Sequence, residues 1–195
     1  YSDSNQSYIN AGYKIFVAEV ASTCNESLLI HYLLKNTDNK AEKAYLINHF
    51  LEQFKGTLYR QTMFAEFEKI THKMVEEGET LTSDILCKVY YDLNKQYFGE
   101  DMVLDEEIAL EWARIPHFYN PFYVYQYATG YSAAIAISTK ILAGDEQVIA
   151  GYRKFLSGGS SMHPIELLKL CGIDMTRPDV VQEALDVFGE LLKQW

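Results

Sequence analysis

Apolar residues recur at helical spacing along almost the whole chain, and little interrupts them. Only four prolines and eleven glycines punctuate 195 residues. No two alternating runs joined by a tight turn suggest a β-hairpin. The pattern predicts an all-α fold, with helices over 13–34, 40–77, 84–99, 121–143, 145–156, 164–170 and 178–194. Gly56 marks a bend in the second. Thr80, Thr82 and Ser83 supply capping chemistry before the third. Asn120 followed by Pro121 reads as an N-cap with proline at the first helical position. The stretch 100–119 is mixed, with short helical or extended pieces, and the run Ser157-Gly158-Gly159-Ser160-Ser161 reads as a flexible loop. No internal repeat and no long linker appear, so residues 1–195 are expected to form a single unit.

Composition narrows the function classes. With 48% hydrophobic and 14% aromatic residues, the chain can fill a core and is not a disordered segment. Its 27 acidic against 17 basic residues give a net charge of -10. That field repels phosphate backbones, so nucleic acid is not an expected partner. No apolar run approaches the ~20 residues that cross a bilayer, and no membrane partner is expected. Cys24, Cys87 and Cys171 are widely spaced and form no Cys-x-x-Cys pair. Free thiols in a reducing compartment, and hence a cytoplasmic location, are the expectation.

The first helix is apolar on nearly every side, as a helix within a protein interior would be. Glu19, Ser22, Thr23 and Glu26 share one of its faces. A carboxylate there must meet a cation, a metal or several donors. One reading pairs Glu19 with an arginine such as Arg60 or Arg114; the other makes Glu19 a metal ligand. Catalytic zinc needs three protein ligands and an open position, and His-Glu-x-x-His is the usual source of two. None of His31, His49, His72, His117 or His163 belongs to such a motif. On this reading the chain cannot complete a zinc site alone.

A second cluster lies between Arg114 and Tyr131. With a helix starting at Pro121, Tyr123, Tyr127 and Tyr131 form one stripe, and Tyr125 points to another side. Such a stripe can be amphipathic core with satisfied hydroxyls. It can also be a donor surface in which His117 and phenol O–H groups stabilise charge on a hydrolysed carbonyl.

The segments Tyr13-x-Ile15-Phe16-Val17-Ala18-Glu19-Val20-Ala21-Ser22-Thr23-x-Asn25-Glu26, Tyr59-Arg60-Gln61-Thr62-Met63-Phe64-Ala65-Glu66-Phe67-Glu68 and Trp112-Ala113-Arg114-Ile115-Pro116-His117-Phe118-Tyr119 resemble oligoendopeptidase F. That enzyme belongs to the thimet-oligopeptidase group of zinc metallopeptidases, and the resemblance covers essentially the whole chain. It implies the helical C-terminal part of a two-lobed channel peptidase that hydrolyses oligopeptides. It further implies one zinc ion, with Glu19 as third ligand and the two histidine ligands on an N-terminal remainder. The opening Tyr1-Ser2-Asp3-Ser4-Asn5-Gln6 looks like the segment that follows the His-Glu-x-x-His helix, so the chain is expected to begin just downstream of it and to be inactive alone. His117 matches the family's catalytic histidine, Tyr123 its first catalytic tyrosine, and Tyr127 is next in line. The alternative is a non-catalytic helical scaffold or peptide-binding module.

Overall fold

In the computed structural model, which describes all 195 residues, 75% of the chain is helical and no strand forms. Ten α-helices follow in order: α1 Ser2–Asn5, α2 Tyr8–Ala11, α3 Ile15–Asn36, α4 Lys40–Gln53, α5 Arg60–Glu76, α6 Ser83–Phe98, α7 Tyr125–Leu142, α8 Glu146–Ser157, α9 Pro164–Lys169 and α10 Asp179–Leu192. A π-helical turn, Phe54–Tyr59, joins α4 to α5. This is where the sequence placed a bend at Gly56. Two 3-10 segments, Glu106–Arg114 and Pro116–Tyr119, occupy the mixed stretch before α7.

Local chemistry accounts for most helix ends. Asn39 accepts from the N–H groups of Ala41 and Glu42, and Asp145 from those of Gln147 and Val148. Thr82 accepts from Ile85 N–H at 3.3 Å. Each cap satisfies donors that a first helical turn leaves unpaired. Gly99, at φ 79°, ends α6 in the left-handed region that favours glycine.

The chain divides into two compact units: residues 1–58 with 129–195, and residues 59–128. In the first, α7 is the central helix. Every residue from Gly130 to Ser138 is buried. Ala133, Ala134, Ala136 and Ile137 meet Phe16, Val17, Val20 and Cys24 of α3, together with Phe155 of α8 and Leu167 and Leu168 of α9. Small residues along α7 let its neighbours close in on all sides. Burying a side chain such as Ile137 (0% exposed) contributes about 1.5–3 kcal/mol. Ser27 and Ser138 share a buried hydrogen bond of 2.8 Å, which pairs the polar groups that α3 and α7 carry into this core. Phe54, in the π-turn, packs on Phe50, Tyr131 and Phe188 with ring centroids 4.9–5.4 Å apart.

In the second unit, α6 packs against α5 and against the 3-10 segment Glu106–Arg114. Met63, Phe64 and Phe67 of α5, Tyr90 and Leu93 of α6, and Ile115 and Val124 form its core.

Two local expectations are corrected. Asn120-Pro121 does not start a helix: Asn120 caps the end of the short 3-10 turn, Phe122 takes φ 59°, and α7 begins at Tyr125. The run 157–161 is not a loose loop. Ser160 N–H donates to Asn10 O at 2.8 Å, and Gln6 Nε2 donates to Ser157 O at 2.9 Å. Gly159, at φ 54°, lies so close that a Cβ there would stand 2.0 Å from Asn10 O. Those small residues hold the first turns of the chain in place.

Candidate functional site

Helix α5 serves as a template for the segment 111–122. Arg60, Phe64, Glu68 and His72 follow one another at four-residue steps, with Phe67 three residues after Phe64, so they line one side of the helix. Arg60 Nη2 donates to Glu111 Oε1 at 2.5 Å. The Phe64 and Phe67 rings pack on Phe118 at 5.6 and 5.3 Å. Glu68 Oε1 accepts from Phe122 N–H at 2.9 Å, and the His72 ring lies 4.6 Å from that of Phe122. Each contact fixes a successive part of the irregular chain that carries His117 and Tyr123.

Glu111 is the buried polar centre of this unit, 7% exposed. It accepts from Tyr90 OH at 2.6 Å, from Arg60, and through a short contact from Arg114. Burial alone would push its carboxyl up, but the hydrogen bonds of Tyr90 and Arg60 and the charges of both arginines outweigh that and lower it. Arg60 and Arg114 therefore neutralise Glu111. Both arginines that the sequence offered as partners for Glu19 are bonded to Glu111.

The structure brings His117, Tyr123 and Tyr127 together. The His117 ring stacks on Tyr123 at 5.7 Å with planes 20° apart, and meets Tyr127 edge-on at 5.8 Å. The two tyrosine rings are 5.5 Å apart. Tyr127 OH and His117 Nε2 lie 3.4 Å apart, and the imidazole tautomer decides which of them donates. His117 is exposed, and the two tyrosines are half-buried. Imidazole and phenol groups thus share one accessible surface from which N–H and O–H can donate. Tyr131, the third member of the expected stripe, is instead buried against Phe54. Tyr125 is half exposed.

Glu19 sits on α3 in the other unit, half-buried, beneath the close approach of α7. A Cβ added to Gly130 would lie 3.6 Å from Glu19 Cβ. No hydrogen bond or ion pair engages its carboxylate; the hydrogen bond at this residue is from Ser22 Oγ, which donates to its backbone carbonyl at 3.2 Å. Partial burial, and secondarily the charge of Glu26, push the Glu19 carboxyl up. A half-buried carboxylate without a hydrogen-bonded partner is the donor type that zinc accepts, so the residue fits one zinc ligand. No three metal-binding side chains of this chain come together. Glu19 fits as one member of a ligand set rather than as a site in itself.

Neither Glu68 nor Glu111 was singled out by the sequence reading. Glu111 stands three residues before Arg114, a spacing that could have suggested their pairing. Glu68 gives no such hint, because its partner is a backbone N–H 54 positions away.

A model of peptidase family M3 matches residues 1–187. Oligopeptidase PepF of Bacillus subtilis (strain 168) is 54% identical over 194 residues, covering 100% of this chain and 29% of that protein. The chromosomal oligoendopeptidase F of Lactococcus lactis subsp. cremoris is 42% identical, covering 100% and 32%. The crystal structure of oligoendopeptidase-F from Enterococcus faecium superposes with a TM-score of 0.89 at 44% identity, covering 93% of this chain and 35% of that one. The chain spans about a third of the length of these relatives. No helix is long and apolar enough to cross a membrane.

Proposed function

This chain belongs to peptidase family M3, and we propose that it is the C-terminal part of the catalytic domain of a zinc metalloendopeptidase acting on oligopeptides. The observation that carries this reading is the accessible cluster of His117, Tyr123 and Tyr127, on a chain matched over its whole length by oligopeptidases. The N-terminal remainder of the whole protein supplies the other metal ligands. The chain alone supplies one carboxylate and is inactive.

Zinc, when bound, polarises a carbonyl and brings the pKa of a water near neutrality. Glu19 would contribute one carboxylate ligand to it. His117 and Tyr123 donate hydrogen bonds to the scissile carbonyl oxygen as negative charge develops there. Tyr127 bonds to His117 Nε2 and steadies the imidazole plane, so that the donor is oriented before charge appears. Because these donors act mainly in the transition state, their loss lowers kcat more than it raises KM.

The test uses the full-length enzyme, with metal analysis beside hydrolysis of a quenched fluorescent peptide. Glu19→Gln should lose zinc. Tyr123→Phe should keep zinc and lose about 10²–10³ in kcat. Retention of stoichiometric zinc by Glu19→Gln, or full turnover by His117→Ala, would refute the assignment.

A further inference from the structure

We infer that Glu68 is a positioning residue for this reaction: its buried carboxylate holds the backbone turn at Phe122 and so sets Tyr123 against His117. The inference rests on the catalytic reading of His117 and Tyr123 given above.

Phe122 has φ 59°, the one non-glycine residue of the chain in the left-handed region. A bulky L-residue keeps that conformation only where its surroundings hold it there. What holds it is visible. Phe122 N–H donates to Glu68 Oε1 at 2.9 Å, and the Phe122 ring rests against His72, one helical turn beyond Glu68 on α5. His72 is itself fixed by a 2.8 Å bond between Nδ1 and the Glu68 carbonyl.

The placement of the carboxylate is unfavourable by any other measure. Glu68 is 3% exposed, and its second oxygen, Oε2, is buried without a partner. An apolar side chain would fill the same space without desolvating a charge. The carboxylate makes one hydrogen bond that such a residue could not, the bond from Phe122 N–H. Tyr123 follows directly and precedes α7, so its direction depends on this turn. Tyr127 lies within the helix and is held by it. Returning Phe122 to negative φ would swing Tyr123 away from its stacked position 5.7 Å from the His117 ring.

The experiment compares variants of the full-length zinc-loaded enzyme by kcat, KM and zinc content. Glu68→Leu should lower kcat by about tenfold or more with KM and zinc unchanged, the pattern of a lost transition-state interaction. Glu68→Gln keeps an acceptor oxygen and should stay within about twofold of the parent, a rescue that a purely packing role would not give. Phe122→Pro deletes the same hydrogen bond from its other end and fixes φ near -65°. It should reproduce the loss in kcat. Because Phe122 is half exposed (53%), this variant decides the matter if Glu68→Leu does not fold. Parental kcat in Phe122→Pro or in folded Glu68→Leu overturns the inference, as does a Glu68→Gln variant as slow as Glu68→Leu. His117→Ala separates the two layers. Full activity there removes the catalytic reading itself, whereas an inactive His117→Ala beside a fully active Phe122→Pro removes only the role of Glu68.

Discussion

Glu111→Leu is expected to destabilise the unit formed by residues 59–128 by about 3 kcal/mol, and the structure supplies each contribution. Leu keeps the volume filled, so the change reads mainly the loss of the acceptor. Tyr90, fully buried, is left with a hydroxyl that has lost its carboxylate, which costs about 1–3 kcal/mol. Arg60, with a third of its side chain exposed, recovers part of its hydration and adds about 1 kcal/mol. Arg114, 73% exposed, contributes close to nothing. Against total stabilities of about 5–15 kcal/mol, the effect is large. Urea unfolding read by Trp112 fluorescence suits the measurement, since Trp112 adjoins Glu111 and packs on Phe67 at 6.4 Å. In the 195-residue chain, a Trp195→Phe background removes the other indole. The expected result is a lower midpoint at unchanged slope. Arg114→Ala in the same background should shift stability by less than about 1 kcal/mol. A loss below 1 kcal/mol for Glu111→Leu, or an equal loss for Arg114→Ala, would refute the reasoning.

The same carboxylate predicts a pH dependence. Its folded-state pKa lies below the ordinary 4.5, so its stabilisation is complete above that value and is lost as pH falls through the depressed one. The parent's Tm should therefore drop more steeply below pH 4.5 than that of Glu111→Leu, and parallel curves would contradict it. Gly159→Ala forces a Cβ to within 2.0 Å of Asn10 O at positive φ; a loss of about 1–3 kcal/mol is expected, with faster proteolysis near Tyr8 and Tyr13. An unchanged melt would show that the strap from 157–161 to Asn10 is dispensable. Burial pushes the Cys24 thiol up to about 11 and the Cys171 thiol up to about 12, and half-buried Cys87 should be alkylated first under native conditions. Mass spectrometry of the labelled peptides reads the order.

Where a helix is set by its own residues, its limits were legible in the sequence. Asn39, Thr82 and Asp145 cap with side chains two or three positions away, and the 3.6-residue pattern located α3, α6, α8 and α10 to within a few residues. The failures arose where distant groups decide. Asn120-Pro121 carries a helix-start signature, yet Phe122 is turned aside by Glu68 from 54 positions away. The Gly-Gly-Ser-Ser run has a mobile composition, yet its small residues are needed because Asn10 comes so close. Tyr123 and Tyr127 come together as the spacing implied, although Tyr123 stands on a turn instead of a helix. Glu19 showed the converse limit: sequence pattern identified a carboxylate in need of a partner, but could not tell that both candidate arginines were engaged by Glu111.

The split course of the first unit sets an order for folding during synthesis. Val20, Cys24 and Ser27 of α3 leave the ribosome long before the α7 residues that cover them, and Ser138 follows Ser27 by 111 positions. At about 5–20 residues per second, that interval lasts roughly 6–20 s, far longer than the microseconds a nascent helix needs. For the last ten residues of that interval, roughly 0.5–2 s, residues 59–128 are complete while the α7 residues that pack on α3 are still emerging. The nascent protein thus passes through a stage in which the later-begun unit is complete before the first.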